Sequence, residues 1–178
     1  MNTSYATLTH VSADAATWIA EEVADRCPNV IRCADPFHHV AWATEALDEV
    51  RRETWNTARE EGLSAHARDL KHAPYTLWKN PEDLIVRQQK KLAWVSTVNH
   101  RLYRAYLLEE QLRQVFALKG KQGKRPLDHW LSWARRSRNP AFVQLAKRIT
   151  RHHASIDASL EHRPSNGEVE STNTSGVS

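Results

Sequence analysis

Cysteine is nearly absent. Cys27 and Cys33 are the only two among 178 residues, too few for a disulfide scaffold, so two reduced thiols in a cytoplasmic protein are expected. Their Cys-x5-Cys spacing is not that of a zinc knuckle. No second ligand pair stands at a usual interval despite His38 and His39 nearby, so zinc is not expected. No window approaches the uninterrupted apolar length of a membrane span, and the N-terminus lacks a signal-peptide pattern, so no membrane partner is expected. Strand patterning is missing from most of the chain as well. From Pro36 to His162 nothing alternates with a period of two, which leaves no room there for a large sheet.

The residues that are present, 40% hydrophobic and 26% charged, suit one ordinary domain or a domain carrying an insertion. The net charge is a modest +4. The cations nonetheless cluster, at Arg87 to Lys91, Lys119 to Arg125, Arg135 to Arg138 and Lys147 to His153. Such stripes fit a phosphate backbone, and they also occur as solvated helix faces.

Helical spacing fills the long central region. Val40, Ala43, Leu47, Val50 and Thr54 mark one face of a helix that should end at Gly62. A short helix over Ser64 to His72 is broken by Pro74. Asn80-Pro81-Glu82-Asp83 has the form of a capped helix start. One further helix carries Val95, Val98, Leu102, Tyr106, Leu112 and Val115. Lys119 to Pro126 reads as a flexible hairpin. Asn139-Pro140 then opens a last helix, with Phe142, Ala146, Ile149, His153, Ile156 and Leu160 inside. Most of the seven tryptophans are expected in the core, since each ring removes a large apolar area from water. The expected core comprises Trp94, Leu102, Trp130, Trp133, Phe142 and Ile149. Trp78, beside Tyr75 and Lys79 among helix breakers, is the expected surface exception.

Before this region the pattern differs. Thr7 to Val11 reads as a strand, Ala15 to Arg26 as a helix, and Val30 to Cys33 as a second, buried strand between Pro28-Asn29 and Asp35-Pro36. Strand, helix, strand is the minimal parallel pair with its crossover. Two strands cannot make a stable sheet alone, so further strands must come from elsewhere. Asp35 can cap a helix whose first residue is Pro36, which sets a carboxylate and the His38 imidazole one turn apart at a strand exit. Open sheets gather their polar chemistry at such exits.

The segment Asp35-Pro36-Phe37-His38 resembles the Asp-x-x-His signature of transposases of the ISL-three insertion-sequence family. Val11-Ser12-Ala13-Asp14 with Trp18-Ile19, Ala46 to Arg52, Leu131 to Arg138 and Ser165 to Asn173 are similar to further blocks of that family, in order and at sensible intervals. The resemblance implies an incomplete ribonuclease-H-like α/β core followed by a large all-helical insertion, in a chain that is mostly α. The implied division is 1–45 for the partial core, 46–162 for the insertion and 163–178 for a tail carrying the remnant of the last core helix. It also implies metal-dependent cleavage and joining of DNA, with Mg2+ or Mn2+ held by Asp, Asp and Glu. Two such ions can stabilise the attacking and leaving oxygens of an in-line displacement.

By that resemblance Asp14 is the second Asp and Glu170 the Glu, with Asp35 competing for Asp14's place. His38 would either flank the cleft or cap and pack. Lys119, Lys121, Lys124, Arg125, Arg135, Arg136 and Arg138 are the candidate DNA contacts. The block bearing the family's first Asp and its N-terminal DNA-binding segments have no counterpart in this sequence, and the match stops near Asn173-Thr174. The expectation is therefore a fragment truncated at both ends, catalytically inactive and binding no metal by itself. Its partners would be element-end DNA and full-length transposase. The rival expectation is a non-catalytic helical module that binds DNA or a transposase.

Overall fold

A computed structural model describes residues 10–13, 31–34, 36–71, 74–118 and 120–162. Among them two short strands precede eight α-helices and two 3-10 turns. β1 (His10–Ala13) and β2 (Ile31–Ala34) pair in parallel, His10 opposite Ile31 and Ala13 opposite Ala34. The strand expected over Val30 to Cys33 overlaps β2 at Ile31–Cys33. Of the one expected over Thr7 to Val11 only His10 and Val11 lie among the described residues, and β1 continues past them to Ala13. The crossover helix expected over Ala15 to Arg26 and the tail beyond His162 lie outside the described residues.

Helix α1 (Pro36–Glu60) is the spine. Its 25 residues span about 37 Å at 1.5 Å per residue. Pro36 is its first residue, as the missing amide hydrogen favours. Trp42, Ala43, Ala46, Leu47, Val50 and Ala58 form its buried stripe, set by the three- and four-residue spacing of the apolar positions. The helix stops at Gly62, whose φ of 74° is disfavoured for any residue with a Cβ. The Leu63 amide then donates to the Ala58 carbonyl at 2.8 Å. The residues on either side of position 45/46 belong to this one uninterrupted helix.

Helices α2 (Ser64–Lys71) and α3 (Pro74–Leu77) follow. Asn80-Pro81 opens only a 3-10 turn, Pro81–Asp83, rather than a full helix. The single helix expected across Val95 to Val115 is two, α4 (Val86–Val98) and α5 (His100–Ala117). Asn99 breaks it at φ −143° and caps α5, its side-chain oxygen accepting from the Leu102 amide at 2.8 Å. The apolar period runs through the break, so hydrophobic spacing could not reveal it.

Likewise α7 (Pro140–Arg151) and α8 (His153–His162) replace one last helix, with His152 at the joint. The glycine-rich segment is not a loose hairpin. Residues Gly120–Gly123 form a 3-10 turn, Lys124 already begins α6 (Lys124–Arg136), and Gly123 packs so tightly that a Cβ there would meet Leu160 at 3.0 Å.

The core lies where α1 crosses α5 and α7, closed by α6 and α8. Trp130, Leu102, Phe142 and Ile149 are fully buried, each such side chain stabilising by about 1.5–3 kcal/mol or more. The Trp130 indole N–H donates to the Leu108 carbonyl at 2.7 Å, which offsets its burial. Trp94 and Trp133 are only partly buried and cover the core from outside. Trp78 is exposed, as the sequence suggested. Helix α8 lies against β2 and thereby joins the strand pair to the helical body.

Candidate nucleic-acid interface

The expected carboxylates Asp14, Asp35 and Glu170 lie outside the described residues. Ala13 and Ala34, which precede the two aspartates in sequence, are register partners at the end of the parallel pair. Lys119 and the side chain of Lys121 are outside as well. His38 stands half-buried in the first turn of α1. Its neighbour His39 is buried, with its ring centroid 4.7 Å from Trp42 and 5.3 Å from Phe116. Among the described residues no group of three or more His, Cys, Asp and Glu side chains is arranged to hold a metal ion.

What the described residues do assemble is a basic helical hairpin. Arg135 and Arg136 end α6, Ser137-Arg138-Asn139 turns the chain, and Lys147, Arg148 and Arg151 project from α7. No Asp or Glu occurs between His129 and Ile156. The hydrogen bonds of these cations go to neutral groups. Arg135 donates to the Thr150 hydroxyl at 2.7 Å, tying the two helices together, and Arg136 donates to the Ser132 carbonyl and hydroxyl. Such bonds orient a guanidinium without cancelling its charge. Arg135, Arg136, Arg138 and Lys147 are exposed, and none has an ion-pair partner among the described residues. Arg148 and Arg151 face the α1 side, where Glu45 and Glu49 share a shallow cleft with them. The outward cations are thus Arg135, Arg136, Arg138 and Lys147. Lys124 and Arg125 lie about three turns away at the start of α6.

The turn of this hairpin is held from behind. Asn139 is fully buried at the N-cap position of α7, but its side chain makes no capping hydrogen bond there. Its side chain accepts from Arg101 at 3.0 Å and donates to the Arg101 carbonyl at 3.3 Å. Arg104 donates to the Ser137 carbonyl at 3.1 Å, and the Ser137 hydroxyl donates to the Ala134 carbonyl at 2.7 Å. Arg138, between them, has φ 60°, a left-handed conformation that is uncommon for a residue with a long side chain. The bracing on both sides imposes it.

A second ionic site is internal. Glu109 on α5 is wholly buried, and both its oxygens accept from Arg113 at 2.7 Å. Burial pushes the Glu109 carboxyl up, opposed by the Arg113 guanidinium and the Thr44 hydroxyl. Arg113 also donates to Glu110 and to the Asn80 side chain, which anchors the Pro81–Asp83 turn on α5. The cluster has the geometry of a structural brace, tying α5 to α1 through Thr44 and to the Pro81–Asp83 turn through Asn80.

No helix among the described residues is long and apolar enough to cross a membrane. A family model described as "Transposase", of the ISL-three DDE type, matches residues 2–175. The chain is 56% identical over 188 aligned residues to the transposase for insertion sequence element IS1557 of Mycobacterium tuberculosis, with 95% of this chain and 42% of that protein covered. It is 26% identical to the transposase for insertion sequence element IS1001 of Bordetella parapertussis, covering 92% of this chain and 40% of that one. The chain therefore spans about two fifths of the length of these curated relatives. No solved structure matches it. The blocks that resembled transposases fall inside the region the family model spans, and the chain belongs to the ISL-three family of transposases.

Proposed function

We propose that these residues form the DNA-gripping helical part, and two strands of the catalytic core, of an enzyme that cuts and joins DNA at the ends of an insertion sequence. In this reading residues 1–45 belong to a ribonuclease-H-like core, 46–162 are a helical insertion and 163–178 return to the core. Asp14 and Glu170 are the carboxylates for Mg2+ or Mn2+, while Asp35 and His38 flank the cleft. A bound pair of such ions would supply stabilisation for both oxygens of an in-line phosphoryl displacement. The parallel strands ending together at Ala13 and Ala34 support this reading, because sheets of this kind keep their polar groups at the ends of adjacent strands.

The observation that carries the proposal is the exposed set Arg135, Arg136, Arg138 and Lys147, which has no carboxylate partner among the described residues. A clustered, uncompensated set of this kind is the electrostatic footprint that suits a phosphate backbone. Lys124 and Arg125 at the start of α6 extend the track, and Lys119 and Lys121, their neighbours in sequence, are assigned to it with them. The same cations equally serve a non-catalytic module that binds DNA or a transposase. That reading gains from the sheet, which is two-stranded among the described residues and needs further strands before it can hold carboxylates in register. The 178 residues alone are therefore expected to bind DNA and not to cut it.

Binding to a labelled element-end duplex, measured by anisotropy across salt, tests the first part. Replacing Arg135, Arg136 and Arg138 together by alanine should flatten the salt dependence by about 2–3 units, at roughly 0.9 per phosphate contact. An unchanged slope would remove the hairpin from the interface. Nicking of the duplex in Mg2+ or Mn2+, abolished by Asp14→Ala, would overturn the inactivity of the isolated chain.

A further inference from the structure

One basic cluster of the sequence, Arg87 to Lys91, has no place in the interface just described. It lies in α4, within a second stretch that carries no acid, from Leu84 to Leu108. Arg87, Lys90 and Lys91 line a groove of about 690 Å³ between α2 and α4, with Thr76 at its edge and the partly buried indole of Trp94 on its wall. Among the described residues the only carboxylate lining it is Asp69, and Lys91 already occupies that group at 2.8 Å. Hydrogen bonding from Lys91 holds the Asp69 carboxyl below its usual range. Arg87 and Lys90 are exposed and have no ion-pair partner among the described residues. They also stand in the first two turns of a helix, where the backbone dipole disfavours cations and no acid offsets them.

The Lys91 ammonium sits 5.0 Å from the Trp94 ring centroid, so one side chain meets both the carboxylate and the aromatic face. His66 meets the same ring edge-on at 5.7 Å. The groove thus offers two exposed cations beside an ordered aromatic ring. That pairing suits an unpaired strand, in which phosphates alternate with bases that are able to stack. A duplex would present its phosphates to the cations but keep its bases from the indole.

We infer that the α2–α4 groove is a single-stranded DNA site, in which Arg87 and Lys90 hold phosphates and Trp94 stacks a base. The inference rests on the DNA reading above and adds a second surface to it, one selective for unpaired strand.

The full chain is titrated with a labelled twelve-nucleotide oligothymidine and with a duplex of equal length, across salt. Arg87→Ala with Lys90→Ala should weaken single-strand binding about tenfold and lower its salt slope by about 1.4, at roughly 0.7 per phosphate. Duplex binding should change far less. Trp94→Ala should weaken single-strand binding at least about fivefold, and Trp94→Phe should restore most of it. Circular dichroism checks that each variant is folded. The exposed Arg87 and Lys90 changes keep the test valid even if Trp94→Ala unfolds. Unchanged single-strand binding in the double variant, with binding lost in the Arg135, Arg136 and Arg138 variant, would overturn the groove and leave the hairpin standing. Loss only on the duplex would overturn the single-strand assignment. Absence of any DNA binding by the parent chain would overturn both.

Discussion

The Arg148 guanidinium carbon lies 3.5 Å from the ring centroid of Trp42. This stack fastens α7 onto the first turns of α1, and Trp42 passes the contact on to His39 and to His152, whose ring is 5.9 Å away. The backbone just before α1 is β2 and the helix just after His152 is α8, which rests on β2. One cation on an indole therefore secures the corner where strands and helices meet. Arg148→Ala should destabilise the fold by about 0.5–2 kcal/mol. Trp42→Ala, which also empties a buried volume, should cost about 3–5 kcal/mol. Urea unfolding followed by circular dichroism measures both, and equal losses in the two variants would refute the ranking.

The Glu109–Arg113 pair predicts a different pattern. Arg113→Met leaves a buried carboxyl facing only Thr44 among these partners, and should cost about 3–5 kcal/mol. Glu109→Leu combined with Arg113→Met removes both charges and should recover most of that loss, because desolvation of the pair offsets much of its attraction. A double-mutant cycle in urea reads the difference. Strict additivity of the two single changes would show that the groups do not act as a pair.

Tyr106 supplies a pH dependence. Its hydroxyl is buried and has no hydrogen-bond partner among the described residues. Burial, aided by Glu110 and Glu109, raises its pKa from 10 to about 12. Because the folded state holds this proton more tightly than the unfolded chain, its contribution is complete below pH 10. It is lost as pH rises towards 12. Tyr106→Phe should cost little at pH 7 and flatten the fall in stability over that interval. Identical alkaline unfolding curves for the parent and Tyr106→Phe would contradict this.

Much of the architecture was legible because the relevant signals are local. Gly62 ends α1 through its own φ, and Pro36 and Pro140 open helices through a missing amide hydrogen. The breaks at Asn99 and His152 were hidden because the apolar period on the inner face continues across both. Asn139-Pro140 opens α7 as its sequence suggests, but the Asn139 side chain is engaged by Arg101, which lies on another helix and comes near only in the folded chain. The site followed the same rule. Arg135, Arg136 and Arg138 are adjacent in sequence and could be read as a stripe. Lys147 joins them only through the hairpin, whereas Trp94 stands one turn from Lys90 and Lys91 on α4, a spacing already present in the sequence. Only Asp69 and Thr76 reach that cluster through folding.

The turn at Arg138 sets stability against binding. A left-handed residue with a side chain costs about 1–2 kcal/mol relative to one without, and glycine returns part of that to the unfolded chain as entropy. Arg138→Gly should therefore stabilise the protein by up to about 1 kcal/mol, since the bracing by Ser137 and Asn139 does not use the Arg138 side chain. The same change removes an exposed cation from the hairpin. It should weaken duplex binding and lower the salt slope by about 0.9, the value of one phosphate contact. Arg138→Ala keeps the strained backbone and should lose binding without gaining stability. Thermal unfolding beside salt-dependent anisotropy separates the two effects. A more stable Arg138→Gly protein with undiminished affinity and slope would mean that the strain serves some end other than presenting this guanidinium to DNA.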